Sequence, residues 1–80
     1  MEFQTKNVCT KSIHFEIDDD DRVRNVRFEK GCPGNLLGIA KLVEGMKRNE
    51  VIERLQGIRC GNRNTSCPDQ LAKALLTAQK

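Results

Sequence analysis

The chain has 80 residues, a formal net charge of +3, four cysteines, three Phe and neither Tyr nor Trp. A chain this short buries only about 60–65% of the surface that its unfolded form exposes, so its apolar core alone gives marginal stability. Disulfides, a bound metal or oligomerisation usually supply the missing stability in small domains. The scarcity of aromatic side chains argues against a stacking site for nucleic-acid bases.

The start of the chain contains no long apolar run, so we expect neither a signal peptide nor a membrane span. We therefore expect a cytoplasmic protein that forms a single domain over residues 1–80. In a reducing compartment, four cysteines are more typical of a metal site or of redox chemistry than of a permanent disulfide framework.

Two strand signals open the chain. Residues 1–8 alternate loosely between apolar and polar side chains and predict an edge strand. Residues 11–18 alternate cleanly, which is the pattern of a half-buried antiparallel strand. The apolar face of this second strand consists of Ile13, Phe15 and Ile17. His14 lies on the polar face, where we expect a solvated or surface-paired side chain.

The four aspartates at 18–21 repel one another and favour turn geometry, so they predict a hairpin loop. Residues 23–28 predict the partner strand, with Val26 and Phe28 facing inward. The spacing and the glycine of a calcium-binding loop are missing from the aspartate run, which argues against calcium.

Helical spacing follows. From Asn35 the apolar residues recur every three to four positions and predict a helix that ends at Gly45. Its predicted apolar stripe contains Leu36, Ile39, Ala40 and Val43, broadened by Leu37 and Leu42. A shorter helix is predicted between Asn49 as its cap and Gly57, and a third over residues 68–79.

Strands that precede helices are typical of an α+β fold. We expect a small antiparallel sheet of about three strands, followed by three helices packed on one of its faces. The first strand would leave an exposed edge that a second copy of the chain can pair with, so a homodimer is a further expectation.

The cysteines lie at the borders of predicted elements rather than within apolar stripes. Cys9 borders a strand, Cys32 and Cys67 begin helices, and Cys60 enters the loop between the last two helices. In the expected packing these borders converge at one end of the sheet. Four thiolates are a common ligand set of a tetrahedral zinc site. We therefore predict that Cys9, Cys32, Cys60 and Cys67 bind one zinc ion.

Other thiol chemistry remains open. The cysteines are separated by 22, 27 and 6 residues, unlike the close pairs of a zinc finger, so the fold would have to assemble the site. An iron-sulfur cluster uses the same four thiolates. Alternatively, Cys60 and Cys67 act as a redox dithiol. No Ser-His-Asp set, no Cys-His set and no phosphate-binding glycine loop is apparent, so the sequence does not support catalysis by this chain alone.

Pro68 is favoured at the first position of a helix, which makes Cys67 the N-cap residue or its neighbour. There the helix dipole stabilises a thiolate over a thiol. Asp69 is then expected at the second helical position, where its carboxylate either favours the dipole or orients a metal ligand.

Positive charge is concentrated in the second half of the chain, where residues 41–80 carry eight basic and four acidic side chains. Arg59 and Arg63 flank Cys60. They are candidates for binding a nucleotide phosphate or an acidic protein partner; the alternative is a solvated basic face.

Residues 65–69 spell Thr-Ser-Cys-Pro-Asp, the motif that names the TSCPD domain family. Nearly the whole chain resembles the small, stand-alone bacterial branch of this family. The other segments that carry the resemblance are Cys-Thr-Lys-Ser-Ile at 9–13, Gly-Cys-Pro-Gly-Asn-Leu at 31–36, Leu-Val-Glu-Gly-Met at 42–46, Ile-Arg-Cys-Gly at 58–61 and Gln-Leu-Ala at 70–72.

Related TSCPD domains are appended to the C-terminus of vitamin B12-dependent ribonucleotide reductases. The resemblance therefore implies a link to deoxynucleotide synthesis, with a reductase as a partner and a nucleotide as a ligand. The catalytic barrel of such a reductase does not fit in 80 residues, so the resemblance implies an accessory domain rather than the enzyme.

A second, fainter likeness concerns the order of elements. Cys9 before a strand, Cys32 before a helix, the Val-Glu-Gly run at 43–45 and a later cysteine are similar in order to iron-sulfur scaffold proteins of the NifU and SufU type. Lys11 stands where the scaffold aspartate would be expected, and the Cys60 loop differs. This likeness therefore implies a related fold more than a shared function.

Overall fold

The computed structural model describes residues 2–5, 12–29, 33–59 and 65–78. Three strands come first and three helices follow, which confirms the predicted α+β class. The strands are β1 (Glu2–Gln4), β2 (Ser12–Ile17) and β3 (Val23–Glu29). The helices are α1 (Pro33–Val43), α2 (Arg48–Leu55) and α3 (Cys67–Thr77).

The sheet is an antiparallel meander in the order β1-β2-β3. Phe3 and Phe28 both pair with Ile13, one from each neighbouring strand. Because directly opposed residues point to the same face of a sheet, this register gathers the predicted apolar face of β2 with the two phenylalanines. Ile13 and Phe15 are buried and Glu16 is exposed, as the alternation predicts, but Ser12 at the start of β2 is buried as well.

A β-bulge interrupts the pairing of β2 with β3. The register shifts between His14 and Glu16, and Asn25 opposite this point has a positive φ of 56°. The extra residue puts Val23 and Val26, three positions apart, among the buried core residues. Strict alternation predicts only one of these two side chains inward.

The aspartate run forms the predicted hairpin loop. The carboxylate of Asp18 accepts backbone N–H groups from Asp20 at 3.0 Å and from Arg22 at 2.9 Å. Asp21 adopts a positive φ of 62°, a conformation that aspartate tolerates better than most residues. The aspartate run therefore forms a turn, as its charge and residue type predict.

One hydrophobic core joins the sheet to all three helices. Leu71 and Leu75 of α3 and Val51 of α2 are fully buried in it. The other buried members are Ile13, Phe15, Val23, Val26, Ala40, Val43 and Ala74. Side chains of all three helices thus share one core with the sheet; α1 packs on β3, and α2 packs on α3.

Two predicted core residues of α1 are exposed instead. Leu37 is 59% exposed and Leu42 is 77% exposed. Successive helical residues are about 100° apart, so Leu42 lies on the opposite side of the helix from Ala40. The stripe that packs on the sheet is narrower than predicted, and its buried members are Leu36, Ala40 and Val43.

The helix boundaries differ slightly from the predictions. α1 begins at Pro33 rather than Asn35, and α2 begins at Arg48 without a side-chain cap from its N-cap residue, Lys47. Gly45 and Gly57 follow the first two helices, with φ of 82° and 85°. Glycine adopts this left-handed conformation without strain, which explains why both helices end where predicted.

The helices have defined directions relative to the hairpin loop. The N–H of Gly45, just after α1, donates to the carbonyl of Val23 at 2.8 Å. Arg48, the first residue of α2, forms an ion pair of 2.8 Å with Asp21 and donates to the carbonyl of Ala78 at 2.9 Å. The end of α1, the start of α2 and the end of α3 therefore lie beside the hairpin loop. The opposite ends of these helices point away from it.

Candidate functional site

The Thr-Ser-Cys-Pro-Asp motif forms the start of α3. Ser66 is the N-cap residue, and its hydroxyl accepts the backbone N–H of Asp69 at 3.2 Å. Cys67 is consequently the first helical residue, which confirms its predicted place beside the cap. Pro68 and Asp69 are the second and third helical residues, one position later than predicted, because the serine caps the helix one residue earlier.

The Asp69 carboxylate is the centre of a buried polar cluster. Its side chain is only 4% exposed. Oδ1 accepts the backbone N–H of Gly57 at 2.7 Å. Oδ2 accepts a short hydrogen bond from the hydroxyl of Thr65 and lies 3.1 Å from Nζ of Lys73. These contacts compensate the Asp69 carboxylate for the hydration that it loses on burial.

Burial by itself raises the pKa of Asp69, because it penalises the charged form. The hydrogen bonds from Thr65 and Gly57, together with Lys73, outweigh this effect and hold the pKa below its usual value. The carboxylate is therefore ionised in the folded protein at neutral pH and stabilises the fold in that state.

Thr65 completes the cluster. Its hydroxyl donates to Asp69 and accepts from Nε2 of Gln70 at 2.9 Å. Thr65, Ser66, Asp69 and Gln70 are all buried. Buried polar groups that are mutually hydrogen-bonded fix a single local arrangement, since any alternative leaves a group unsatisfied.

This cluster ties two helices together across the loop that carries Cys60. Gly57 directly follows the C-cap of α2, and Asp69 lies in the first turn of α3. Their hydrogen bond therefore holds the end of α2 against the start of α3. We define these residues, Gly57, Thr65, Ser66, Asp69 and Gln70, as the motif cluster.

Cys67 is the predicted metal ligand that falls within the described residues, and it is buried, with 9% exposure. Cys9, Cys32, Cys60 and Arg63 lie outside the described residues. Among residues 2–5, 12–29, 33–59 and 65–78, no three His, Cys, Asp or Glu side chains are grouped to hold a metal ion. The site of four cysteines stays a prediction.

Arg59 is exposed and lines a shallow concavity of about 380 Å³ beside Asp69 and Lys73. Gln56, Gly57 and Leu76 complete its lining. Two cationic side chains thus lie on the outer side of the motif cluster. The Lys73 side chain is half exposed and its ammonium group pairs with Asp69.

A separate polar contact, which tethers β2 to β3, lies at the end of the sheet opposite the hairpin loop. The hydroxyl of Ser12, buried at the start of β2, donates to Oε2 of Glu29 at 3.2 Å. Nε2 of His14 lies 3.2 Å from Oε1 of the same carboxylate. His14 is therefore paired, as predicted, but its Nε2 atom is buried rather than at the surface. Glu29 ends β3, so this tether joins the start of one strand to the end of the next.

Sequence reasoning found Cys67 and Asp69 but missed Thr65, Ser66, Gln70 and Gly57 as partners in one cluster. A signal for the cap was present, because Ser or Thr followed three residues later by an acidic residue is typical of a helix start. The contact from Asp69 to Gly57 had no local signal, since it depends on how α2 and α3 pack.

A family model for the TSCPD domain matches residues 1–79. The chain belongs to the TSCPD domain family. This confirms the resemblance seen in the motifs, and the residues that name the family form most of the motif cluster. Searches of curated proteins and of solved structures gave no significant match. In the described part of this TSCPD domain, no helix has the length and apolar character needed to cross a bilayer.

Proposed function

We propose that this TSCPD domain is an accessory domain that binds one zinc ion through Cys9, Cys32, Cys60 and Cys67. The observation that supports the proposal is a pair of hydrogen bonds, which we call the two tethers. One joins the described residues that flank the first two cysteines, and the other joins those that flank the last two.

The first tether is the hydrogen bond between Ser12 and Glu29 at 3.2 Å. Ser12 comes three residues after Cys9, and Glu29 comes three residues before Cys32. An extended chain spans at most about 3.6 Å per residue, so each of these cysteines is within about 11 Å of the tether along the chain.

The second tether is the hydrogen bond between Gly57 and Asp69 at 2.7 Å. Gly57 comes three residues before Cys60, and Asp69 comes two residues after Cys67. The same limit of about 3.6 Å per residue applies to both cysteines. Cys67 is further restricted because it belongs to the first turn of α3.

Both tethers lie at the ends of their strands or helices that are farther from the hairpin loop. The pairing of Ser12 with Glu29 is at the opposite end of β2 and β3 from that loop. The start of α2 contacts the loop through Arg48 and Asp21, so the end of α2 and its tether point the other way. Because both tethers lie on the side of the domain away from the hairpin loop, they support the convergence of four thiol groups, which tetrahedral zinc requires.

Charge also favours this proposal. Zinc with four thiolates carries a net charge of about −2, which must be balanced where water is partly excluded. Arg59 and Lys73 lie beside the motif cluster, and the start of α3 adds the positive end of its dipole. Bound zinc supplies folding free energy to a domain whose own core is small.

The link to ribonucleotide reduction rests on the family. Related TSCPD domains are appended to vitamin B12-dependent reductases, so we propose a reductase, or another acidic protein of deoxynucleotide synthesis, as the partner. Arg59 and Arg63 are the residues that we propose to contact its carboxylates or a nucleotide phosphate. Because guanidinium groups bind both acceptors with paired hydrogen bonds, replacing each arginine by lysine or alanine would test either ligand.

Metal content of single cysteine variants tests the site. We expect Cys67→Ala, and alanine at each of the other three cysteines, to lose the zinc and to lower the melting temperature. Ser66→Ala is the matched control, because it removes the cap of α3 beside Cys67 but keeps the sulfur, so it should retain zinc. Unchanged zinc content and melting in Cys67→Ala would contradict the proposal.

The second candidate function is a redox dithiol formed by Cys60 and Cys67. The tether between Gly57 and Asp69 favours it, because it holds the described flanks of these two cysteines together. A metal-free protein that forms a reversible disulfide between them would support this function over zinc binding. A brown protein after anaerobic reconstitution with iron and sulfide would instead indicate a cluster scaffold.

A further inference from the structure

An apolar groove of about 460 Å³ lies between α1 and α2, and none of its lining residues belongs to the motif cluster. Its apolar lining is formed by Ile39, Val43, Met46, Val51 and Leu55. Leu42 stands at its rim and is 77% exposed. Leu42 and the groove form one contiguous apolar patch, and such a patch indicates an interaction surface where a single exposed leucine would not.

The same rim carries two opposite charges. Glu50 and Arg54 line the groove on α2, one helical turn apart. Neither forms an ion pair within the described part of the chain; the ion pairs found there involve other acidic and basic side chains. The surface therefore combines the exposed Leu42, an apolar groove, and one acidic and one basic side chain, Glu50 and Arg54.

We propose that this surface, defined by Ile39, Leu42, Met46, Glu50 and Arg54, is the two-fold interface of a homodimer. In a two-fold dimer each copy uses the same patch, so the patch must complement itself. Leu42 of each subunit enters the groove of its partner. Glu50 of each subunit faces Arg54 of the partner subunit, and the symmetry repeats this ion pair.

A second copy fits the surface better than an unrelated helix does. An unrelated apolar helix would use the hollow but would leave the exposed Leu42 without a groove to enter. The β1 edge is a poorer dimer surface, because it is three residues long and exposes Glu2 and Gln4. Short polar edges are how sheets avoid pairing with one another.

The apolar part of the interface is tested with Leu42→Asp, followed by sedimentation velocity over a wide range of protein concentration. We expect the wild type to dimerise reversibly and the variant to lose the dimer, because a desolvated carboxylate in the partner's groove is unfavourable. Leu37→Asp is the matched control: Leu37 is on the same helix and 59% exposed, but it does not line the groove. Its dimer should persist.

Charge reversal tests the symmetry. Glu50→Arg or Arg54→Glu alone places like charges across the two-fold axis, and we expect either change to weaken the dimer at least about tenfold. The double variant Glu50→Arg with Arg54→Glu restores opposite charges in exchanged positions and should recover the wild-type affinity. Both positions are on the surface, so circular dichroism and melting should confirm that every variant folds.

A wild type that stays monomeric at every concentration would overturn the proposal. So would a dimer that Leu42→Asp leaves intact, or a double charge variant no tighter than the single ones. The dimer surface contains none of the proposed zinc ligands, because its residues belong to α1, α2 and the turn between them. Loss of the dimer in Leu42→Asp with unchanged zinc content would separate the two proposals.

Discussion

Asp69 and Asp18 each accept a backbone N–H, but Asp69 is buried whereas Asp18 is partly exposed to water. Asp69 accepts the backbone N–H of Gly57 in the motif cluster, and its side chain is 4% exposed. Asp18 accepts the backbone N–H of Arg22 in the hairpin loop and pairs with Arg24, and its side chain is 31% exposed. Water can replace the second set of contacts but not the first. We therefore expect Asp69 to matter much more for stability.

The two pKa shifts agree in direction but not in cause. The pKa of Asp18 is lowered chiefly by the backbone N–H of Arg22, against a smaller opposing effect of burial. At Asp69, burial is the largest single influence and acts in the other direction, so several donors together are needed to lower the pKa. Each carboxylate has three donors, so the two sites differ in how strongly burial opposes the donors rather than in the number of partners.

The largest expected effect is that of Asp69→Ala. It leaves the N–H of Gly57 and the hydroxyl of Thr65 without their acceptor, so we expect the free energy of unfolding to fall by about 3 kcal/mol. Urea denaturation at matched zinc content measures this. Asp69→Asn keeps one carbonyl oxygen and should lose less. A loss in Asp69→Ala no larger than in Asp18→Ala would contradict the comparison.

The dependence of stability on pH tests the contribution of the Asp69 carboxylate. A carboxyl whose pKa is lower in the folded state stabilises the protein fully above its unfolded pKa, near about 4, and loses this contribution as pH falls through the folded pKa. We expect the wild type to lose stability below about pH 4 for this reason. Asp69→Asn should show a shallower dependence in the same range. Parallel pH curves for the two proteins would rule out this role of Asp69.

The next effect is that of Thr65→Val, which removes the hydroxyl between Asp69 and Gln70 while keeping a similar volume. We expect a loss of about 1–2 kcal/mol, since two buried groups each lose one hydrogen bond. Thr77→Val is the matched control, because its exposed hydroxyl bonds only to carbonyls of its own helix. The control should stay within about 0.5 kcal/mol of the wild type.

The smallest effect is expected for Asp18→Ala. Its partners Arg22 and Arg24 remain partly hydrated, so the melting temperature should fall less than in Thr65→Val, and the difference from the wild type should shrink in high salt. Thermal melts at low and high salt measure this. A large, salt-independent fall would show that the hairpin loop is as well isolated from water as the motif cluster.

Much of the fold could be predicted, because local patterns determine much of it. The alternation around Ile13 and Phe15 predicts β2, and the aspartates predict the hairpin loop. Glycines at 45 and 57 mark the ends of two helices, since their φ values are positive. The bulge at Asn25 could not be predicted, because asparagine tolerates the left-handed conformation without requiring it.

The candidate site was predictable only where its contacts are local. The cap from Ser66 to Asp69 spans three residues and has a known sequence signal. The hydrogen bond from Gly57 to Asp69 spans twelve residues and depends on the packing of α2 against α3. The exposure of Leu42 was also missed, because apolar spacing does not reveal how wide a stripe the sheet covers.

We propose that the four cysteines of this TSCPD domain bind one zinc ion. Elemental analysis of protein purified anaerobically without added metal tests it most directly, together with a count of reactive thiols before and after chelation. We expect one zinc per chain and four thiols that react only after the chelator is added. Protein without metal and with all its thiols reactive from the start would contradict it.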